Sequence, residues 1–502
     1  MAAGLRRRSH RRLVAVVALG LVGAALGARA EVLPVAGNAA PLKLSLRQAL
    51  AIGLRNSLAL RSRELFVQES RAQQGLARAR FLPKLDLVGL GSYGQVGTSI
   101  GFISNLNSIG DLNFNLSGDG YAVVQNTFAN AGLALTVPLL DFARGPLQQA
   151  ARFGLQAAEA EQSEQQRLSR FEIESAYYNA QLADAQVPVW QRSLLLSSTV
   201  LRDARAIRRQ GLAARIDTLQ AEALMQTDRQ GLDEALAQRR IALSALARTL
   251  NLPPEQQVSV EDPLRIAPPW PLGLEPSLQR ALQQRPSLEA LQRQRQALMA
   301  QVRVARASRL PSVGLMLGGG INGDWLATPV ITSSGQVGAN GASATLPGVS
   351  ASGTASGSFY DWGGVLTLRQ PLFDGGLSRE STLLAQRRAD QGQVAIEQAQ
   401  QAITQNVQTW YASHQAAGPQ IQAATAAARA GDEAVRDALL RYRAGIAPLT
   451  ELLLAQRNLQ LASTARAVAI HRWNLSRAGL VLETGLGDTE TTAGAAAGSG
   501  AR

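Results

Sequence analysis

The chain contains the same three signatures twice, in the same order and at a nearly constant offset. Each half has an Arg- and Ala-rich helical stretch ending in Leu-Pro, then an apolar-Pro-apolar-Asp segment, then a glycine followed by another helical stretch. Pro83 and Pro311 lie 228 residues apart, and Gly211 and Gly445 lie 234 residues apart. These offsets indicate a duplication, so we expect two internal repeats with one shared architecture.

Low-charge segments lie between the first two signatures of each half. In these segments apolar residues alternate with polar or small ones, as at Leu133, Leu135 and Val137. Period-two runs of about ten residues are typical of tilted transmembrane strands. Gly- and Ser-rich stretches at roughly 97–120 and 319–358 separate these runs, and their composition predicts exposed loops.

Aromatic residues cluster in the same segments, as an aromatic girdle at the membrane surface requires. The cluster comprises Tyr93, Phe102, Phe114, Tyr121, Phe128, Trp325, Phe359, Tyr360 and Trp362. Two soluble hairpins with a small aromatic core are the alternative for these segments alone. If they do cross a bilayer, four strands cannot close a barrel, and open edges would leave costly unpaired backbone groups in lipid. Several chains would then share one barrel.

The remaining sequence is predicted to be helical. From Phe142 to Arg209, small and apolar residues recur at three- and four-residue spacing, which is typical of a coiled-coil seam. At 1.5 Å per residue this stretch would reach about 100 Å. Leading helices are expected near 45–80 and 277–309, and shorter helices return after each glycine. Two short helices placed end to end match one long helix, which predicts a tall hollow cylinder.

The composition of the sequence indicates where one segment of the chain ends and the next begins. Residues 1–30 read as a secretory signal peptide, with arginines before an apolar run, and a retained anchor is the alternative. The first repeat is assigned to 31–250, a Pro-rich linker to 251–276, and the second repeat to 277–484. Residues 485–502 are Gly- and Ala-rich and are expected to be disordered.

Charge and cysteine content exclude several classes of protein. Without residues 1–30, which hold six arginines and no acid, the net charge falls from +13 to +7. The remaining arginines alternate with acids along helical faces, which argues against a nucleic-acid partner. With no cysteine in the chain, a disulfide framework and a lipidated cysteine are both excluded.

Two segments of the second half carry a family resemblance: PLFDGG at 371–376 and YRAGIAPLTELLLAQ at 442–456. Together with the order of elements over about 42–484, they resemble the TolC family of outer-membrane factors. The resemblance implies a mainly α fold with a membrane β segment. The fold would be a long α-helical coiled-coil barrel plus four β-strands per chain, which form a 12-stranded barrel in a homotrimer.

The same resemblance implies location and partners. The protein would contact outer-membrane lipid, with its helical part in the periplasm. It would bind a periplasmic adaptor (membrane fusion protein) and work with an inner-membrane pump of the RND, ABC or MFS type. Its function would be passive export in a tripartite efflux or type I secretion system. The chain departs from the family's frequent Asn-Pro at two places, with Asn56-Ser57 and Arg285-Pro286.

Functional residues are assigned by resemblance to the two glycine turns. The adaptor-contacting tips would be Gly211, Leu212, Gly445 and Ile446. The periplasmic gate would comprise Asp217, Glu451 and Tyr442. In a trimer the acids would form a ring of up to six carboxylates, which recruits cations or disfavours full ionisation. Ordinary helix chemistry is the alternative for the two acids, because an acid in a first turn is favoured by the helix dipole. Ordinary packing is the alternative for Tyr442.

Catalytic and scaffolding functions were weighed against the channel. GLGSYG at 89–94 matches a dinucleotide-binding pattern, but no strand-helix-strand unit surrounds it. Three histidines and no cysteine suggest no metal site, and no cofactor is expected. Arg144 and Arg379 are interpreted as surface charges below the barrel. The remaining alternative is a periplasmic coiled-coil adaptor or scaffold, which would not need the four alternating segments.

Overall fold

The computed structural model describes residues 41–109, 112–211, 214–339 and 342–486. The predicted signal peptide, tip residue Leu212 and nearly all of the predicted tail lie outside these residues. The first half contains β1 (Leu42–Leu44), α1 (Leu46–Asn56), α2 (Leu58–Ala79), β2 (Lys84–Ile109), β3 (Leu112–Leu140), α3 (Arg144–Arg209) and α4 (Arg215–Thr249). The linker and the second half contain β4 (Val258–Val260), α5 (Leu274–Gln284), α6 (Pro286–Ala307), β5 (Ser312–Ala339), β6 (Ala342–Arg369), α7 (Leu377–Arg443) and α8 (Leu449–Thr484). The same order of elements therefore occurs twice.

The long helices α3 and α7 contain 66 and 67 residues and run without interruption through Pro188 and Pro419. Each extends about 100 Å at the rise of an α-helix. Shorter helices pack beside them, chiefly α4 on α3 and α8 on α7. No helix in the described part of the chain is both long and apolar enough to cross a bilayer.

Each leading helix is two helices rather than the single one predicted. Ser57 is extended between α1 and α2, and its side chain accepts a hydrogen bond from the Leu60 amide at 3.3 Å. Arg285 is extended between α5 and α6, because the proline that follows it disfavours a helical conformation. The departures from Asn-Pro thus fall at the breaks between helices.

The four long strands form an antiparallel sheet in the order β2-β3-β5-β6. Leu85 pairs with Leu135, and Leu135 pairs with Leu317, so these side chains share one face. Asn130 and Asn322 lie on the other face, where their side-chain amides are hydrogen bonded. The sheet therefore has an apolar face and a more polar face.

One prediction about the sheet was wrong. The strands span 26 to 29 residues, and they include most of the Gly- and Ser-rich stretches that were expected to be loops. Small uncharged residues tolerate either state, and here the neighbouring strands pair the backbone almost to the hairpin tips. Among the aromatic residues whose side chains the structure describes, Tyr93, Trp325, Tyr360 and Trp362 lie on the apolar face, whereas Phe128 and Phe359 lie on the polar face.

The Pro-rich linker is held tightly against the helices. The Trp473 indole donates to the Ala267 carbonyl at 2.8 Å, and the Asn474 side chain donates to the Arg265 carbonyl at 2.8 Å. The Trp270 amide donates to His414 Nε2 at 3.2 Å, and burial lowers the pKa of His414, which favours this neutral acceptor. The two halves are therefore joined by a packed segment.

Candidate channel tip and gate

Glycines end both long helices in the left-handed conformation. Gly211 has φ 80° and Gly445 has φ 72°, which side chains with a Cβ rarely adopt. The Gly445 amide donates to the Tyr442 carbonyl at 3.0 Å, and the Ile446 amide donates to the Arg441 carbonyl at 2.9 Å. Ile446 is exposed at the turn. The second turn thus presents the apolar side chain of Ile446.

The two predicted gate acids have local partners. Asp217 accepts a hydrogen bond from the Ala214 amide at 3.3 Å, so it caps the start of α4. Glu451 accepts a hydrogen bond from Arg441 Nη1 at 2.6 Å, which joins α8 to α7. Asp217 acts on its own helix, whereas Glu451 links two helices.

Tyr442 is packed into the apolar core of the tip, with 6% of its surface exposed. Its neighbours include Val200, Leu201 and Leu452, from α3 and α8. Within the described residues its hydroxyl has no hydrogen-bond partner. Burial raises the pKa of Tyr442, and the negative charges of Asp217 and Asp203 raise it further. The structure therefore brings Tyr442 and Asp217 into one electrostatic environment, but without a hydrogen bond to the hydroxyl.

Ion pairs that the sequence did not reveal connect the helices at the tip. Arg443 Nε lies 2.7 Å from Asp203 Oδ2, which joins α7 to α3. Arg205 Nη2 lies 3.5 Å from Glu222 Oε1, which joins α3 to α4. Arg443 directly follows Tyr442 before the second tip, but the sequence does not indicate which acids pair with which arginines. The Arg443–Asp203 pair ties the turn of one half to that of the other, and the Arg205–Glu222 pair joins two helices of the first half.

A buried polar cluster lies above the tip, between α3, α4 and α8. Asp228 is 2% exposed, and Gln456 Nε2 donates to its Oδ2 at 2.8 Å and to the Ser193 carbonyl at 3.1 Å. Burial raises the pKa of Asp228, against the lowering effect of hydrogen bonds from Ser197, Ser193 and Gln456. Gln456 Oε1 has no partner within the described residues. Burial therefore makes the negative charge of the Asp228 carboxylate energetically unfavourable in this cluster.

Replacing Asp228 with asparagine is expected to raise the thermal unfolding midpoint by roughly a few degrees at neutral pH. Asparagine removes the buried charge, and its carbonyl oxygen can still accept the hydrogen bond from Gln456 Nε2. Because the folded pKa is raised, the wild type gains stability as pH falls through that pKa, so the advantage of the variant should shrink in acid. Thermal scans across a pH series measure this.

The control for this prediction is Asp233→Asn, an exposed acid on the same helix. It should leave the midpoint unchanged at every pH. If Asp228→Asn gave no gain at neutral pH, the desolvation cost assigned to Asp228 would be wrong.

One prediction about the arginines was wrong. Arg144 is buried: Nη1 donates to the Pro138 carbonyl at 2.9 Å, and the guanidinium carbon lies 5.8 Å from the Phe81 ring centroid. It anchors the junction of β3 and α3, where the Pro138 carbonyl and the Phe81 ring lie against its guanidinium group. Arg379 is exposed, as expected.

These features define a membrane channel: an antiparallel sheet with an apolar face, continued by long helices that end in ion-paired turns. Among the residues that the structure describes, no three His, Cys, Asp or Glu side chains gather as a metal site. A family model described as outer membrane efflux protein matches residues 49–252 and 277–485. The chain belongs to this family.

Comparison with individual proteins leads to the same family. Protein CyaE of Bordetella pertussis is 28% identical over 434 residues, which cover 82% of this chain and 78% of the relative. Outer membrane protein OprJ of Pseudomonas aeruginosa is 25% identical over 443 residues, covering 85% and 82%. The solved structure of the outer-membrane channel OprN superposes with a TM-score of 0.69 at 20% identity, covering 88% and 89%.

The family assignment decides between the functions left open by the sequence. The chain is an outer-membrane efflux channel with a helical periplasmic part, rather than a periplasmic adaptor or scaffold. It is a conduit and not an enzyme, since the family consists of channel proteins.

Proposed function

We propose that the chain acts as a homotrimer whose sheets close one 12-stranded barrel in the outer membrane. The edges of the four-stranded sheet carry this proposal: the outer sides of β2 and β6 have no strand partner in the described chain. Unpaired backbone groups in lipid cost several kcal/mol each, and pairing β2 of one copy with β6 of the next removes that cost.

Exposed apolar side chains at the base of the sheet support the same assembly. Leu372 is 93% exposed and Phe373 is 92% exposed in the single chain, at the junction between β6 and α7. Leu377 in the first turn of α7 is also exposed. A contiguous apolar patch is typical of a protein contact surface. We assign it to the neighbouring copy, whose helices would complete the hollow cylinder.

The domain organisation that we propose has two halves, 31–250 and 277–484, joined by the linker at 251–276. The family model supports it by matching two separate segments with a gap at the linker. We assign residues 1–30 to a cleaved signal peptide and 485–502 to a C-terminal tail, whose first residues, Gly485 and Leu486, still pack at the end of α8.

The proposed partners are a periplasmic adaptor and an inner-membrane pump of the RND, ABC or MFS type, in a tripartite efflux or type I secretion system. The tips formed by Gly211, Leu212, Gly445 and Ile446 would contact the adaptor, where the exposed Ile446 offers an apolar anchor. Conduction would be passive, with the energy supplied by the pump.

The proposed gate consists of Asp217, Glu451 and Tyr442. Glu451 holds α8 to α7 through Arg441, and Asp217 fixes the start of α4 next to buried Tyr442. Repeated three times around the channel axis, these acids would line the opening with carboxylates. Loss of both acids would loosen the turns of both halves.

The double variant Asp217→Ala with Glu451→Ala is expected to raise the resting conductance of the purified trimer severalfold. The removed charge and the lost Arg441 contact both favour an open tip. Single-channel recording in planar bilayers measures the effect, and unheated gel bands report the trimer.

Glu289→Ala is the matched control, because Glu289 makes only an exposed pair with Arg293 on its own helix. An unchanged closed state in the double variant would remove both acids from the gate. A wild-type protein that is monomeric and freely soluble without detergent would refute the channel assembly itself.

A further inference from the structure

A groove of about 570 Å³ lies between α3 and α7, above the tip. Its floor is α8, which packs against both long helices, and the Arg192–Asp432 ion pair bridges α3 and α7 at its rim. The apolar lining includes Leu196 of α3, Val435 and Leu439 of α7, and Leu459 of α8. We call it the α3–α7 groove. Its volume lies within the range of about 300–1,000 Å³ that is usual for small-molecule sites.

The rim of the groove is positively charged. Arg192 of α3 and Arg436 of α7 both pair with the single carboxylate of Asp432. These three are the only ionisable side chains among the lining residues, and both guanidinium groups remain exposed. Two cations on one anion leave one positive charge at the mouth of the groove, while the buried Asp228 carboxylate lies behind the lining residue Gln456, which donates to it at 2.8 Å.

We propose that the α3–α7 groove binds an anionic amphiphile, such as a long-chain carboxylate. Its head group would pair with the exposed guanidinium groups, which suit carboxylates because they donate in a bidentate fork. Its apolar body would lie against Leu196, Leu439 and Leu459. The bound molecule would contact both halves of the chain at once.

The test uses the full mature protein in nanodiscs of zwitterionic lipid, with a dansyl-labelled undecanoate as the fluorescent probe. Wild type should show saturable binding that free laurate displaces. Leu439→Trp fills the groove and should weaken binding by about tenfold or more. Leu461→Trp is its control, because Leu461 is an exposed residue of α8 that does not line the groove.

Arg436→Gln tests the charge without filling the groove, and it leaves the Arg192–Asp432 pair intact. It should weaken binding of the carboxylate probe by about tenfold, because a charge-assisted contact is lost. The methyl ester of the probe should bind wild type and Arg436→Gln equally. Equal saturable binding in wild type and Leu439→Trp, or equal affinity for acid and ester, would overturn the proposal by placing the probe in the lipid. Binding to the groove is independent of the proposed gate.

Discussion

Replacing Arg285 with methionine is expected to lower the free energy of unfolding by about 3–5 kcal/mol. Arg285 is 8% exposed at the break between α5 and α6, and it is the shared partner of two carboxylates. Its Nη2 lies 2.8 Å from Glu164 Oε1 on α3, and its Nη1 pairs with Glu483 on α8. Methionine would leave both acids in place without their counter-ion. Chemical denaturation of the assembled protein measures the loss.

The size of the effect follows from how little water reaches the cluster. Glu483 is 2% exposed, and burial raises its pKa, although Arg285 and the Asn406 amide act in the opposite direction. Without Arg285 the pKa of Glu483 would rise further. Because protonation removes the uncompensated charge, the deficit of the variant should shrink as pH falls.

Two further variants separate this mechanism from a general loss of packing. Adding Glu483→Gln to Arg285→Met removes one of the two stranded charges and should recover a substantial part of the lost stability. Arg293→Met, which breaks an exposed pair with Glu289, should cost no more than about 0.5 kcal/mol. A loss in Arg285→Met that is small, or that Glu483→Gln does not relieve, would contradict the buried-charge account.

Features set by local chemistry could be predicted from the sequence. Gly211 and Gly445 end the long helices because a left-handed residue is required there, and this requirement acts within one turn. The low-charge segments were also predicted as strands, because the alternation of apolar and polar residues is visible in neighbouring positions of the sequence. The internal repeat predicted the same elements in both halves, and this prediction did not require knowing how the elements pack.

Features set by distant partners could not be predicted. Arg285 meets carboxylates 121 and 198 residues away, and Arg443 meets Asp203 across 240 residues. The sequence does not indicate which acids these arginines meet. The ends of the strands were predicted as loops for a related reason. Glycine and serine favour neither loop nor strand by themselves, so the outcome depends on whether a neighbouring strand pairs their backbone. Burial of Arg144 likewise depends on Phe81, beyond the intervening sheet hairpin.

The second large effect is expected where Trp410 of α7 packs on α8. A Cβ on Gly479 of α8 would lie 2.4 Å from Trp410 Cδ2, far inside a normal contact distance. Trp410 is also held edge-on by Phe171, with ring centroids 5.8 Å apart, so it cannot move aside freely. Gly479→Ala should therefore destabilise the protein by about 1–3 kcal/mol, as overpacking does. Thermal and denaturant unfolding measure the change.

The sign of this effect distinguishes packing from helix propensity. In a helix interior with free space, glycine to alanine stabilises by roughly 0.5–1 kcal/mol. Gly154 of α3 has no neighbour within 4 Å of a built Cβ, so Gly154→Ala should raise stability while Gly479→Ala lowers it. Adding Trp410→Phe to Gly479→Ala makes room for the methyl group and should restore part of the loss. If both alanine variants were stabilised, the tryptophan would not be what requires glycine at 479, and the α7–α8 contact would be looser than the structure shows.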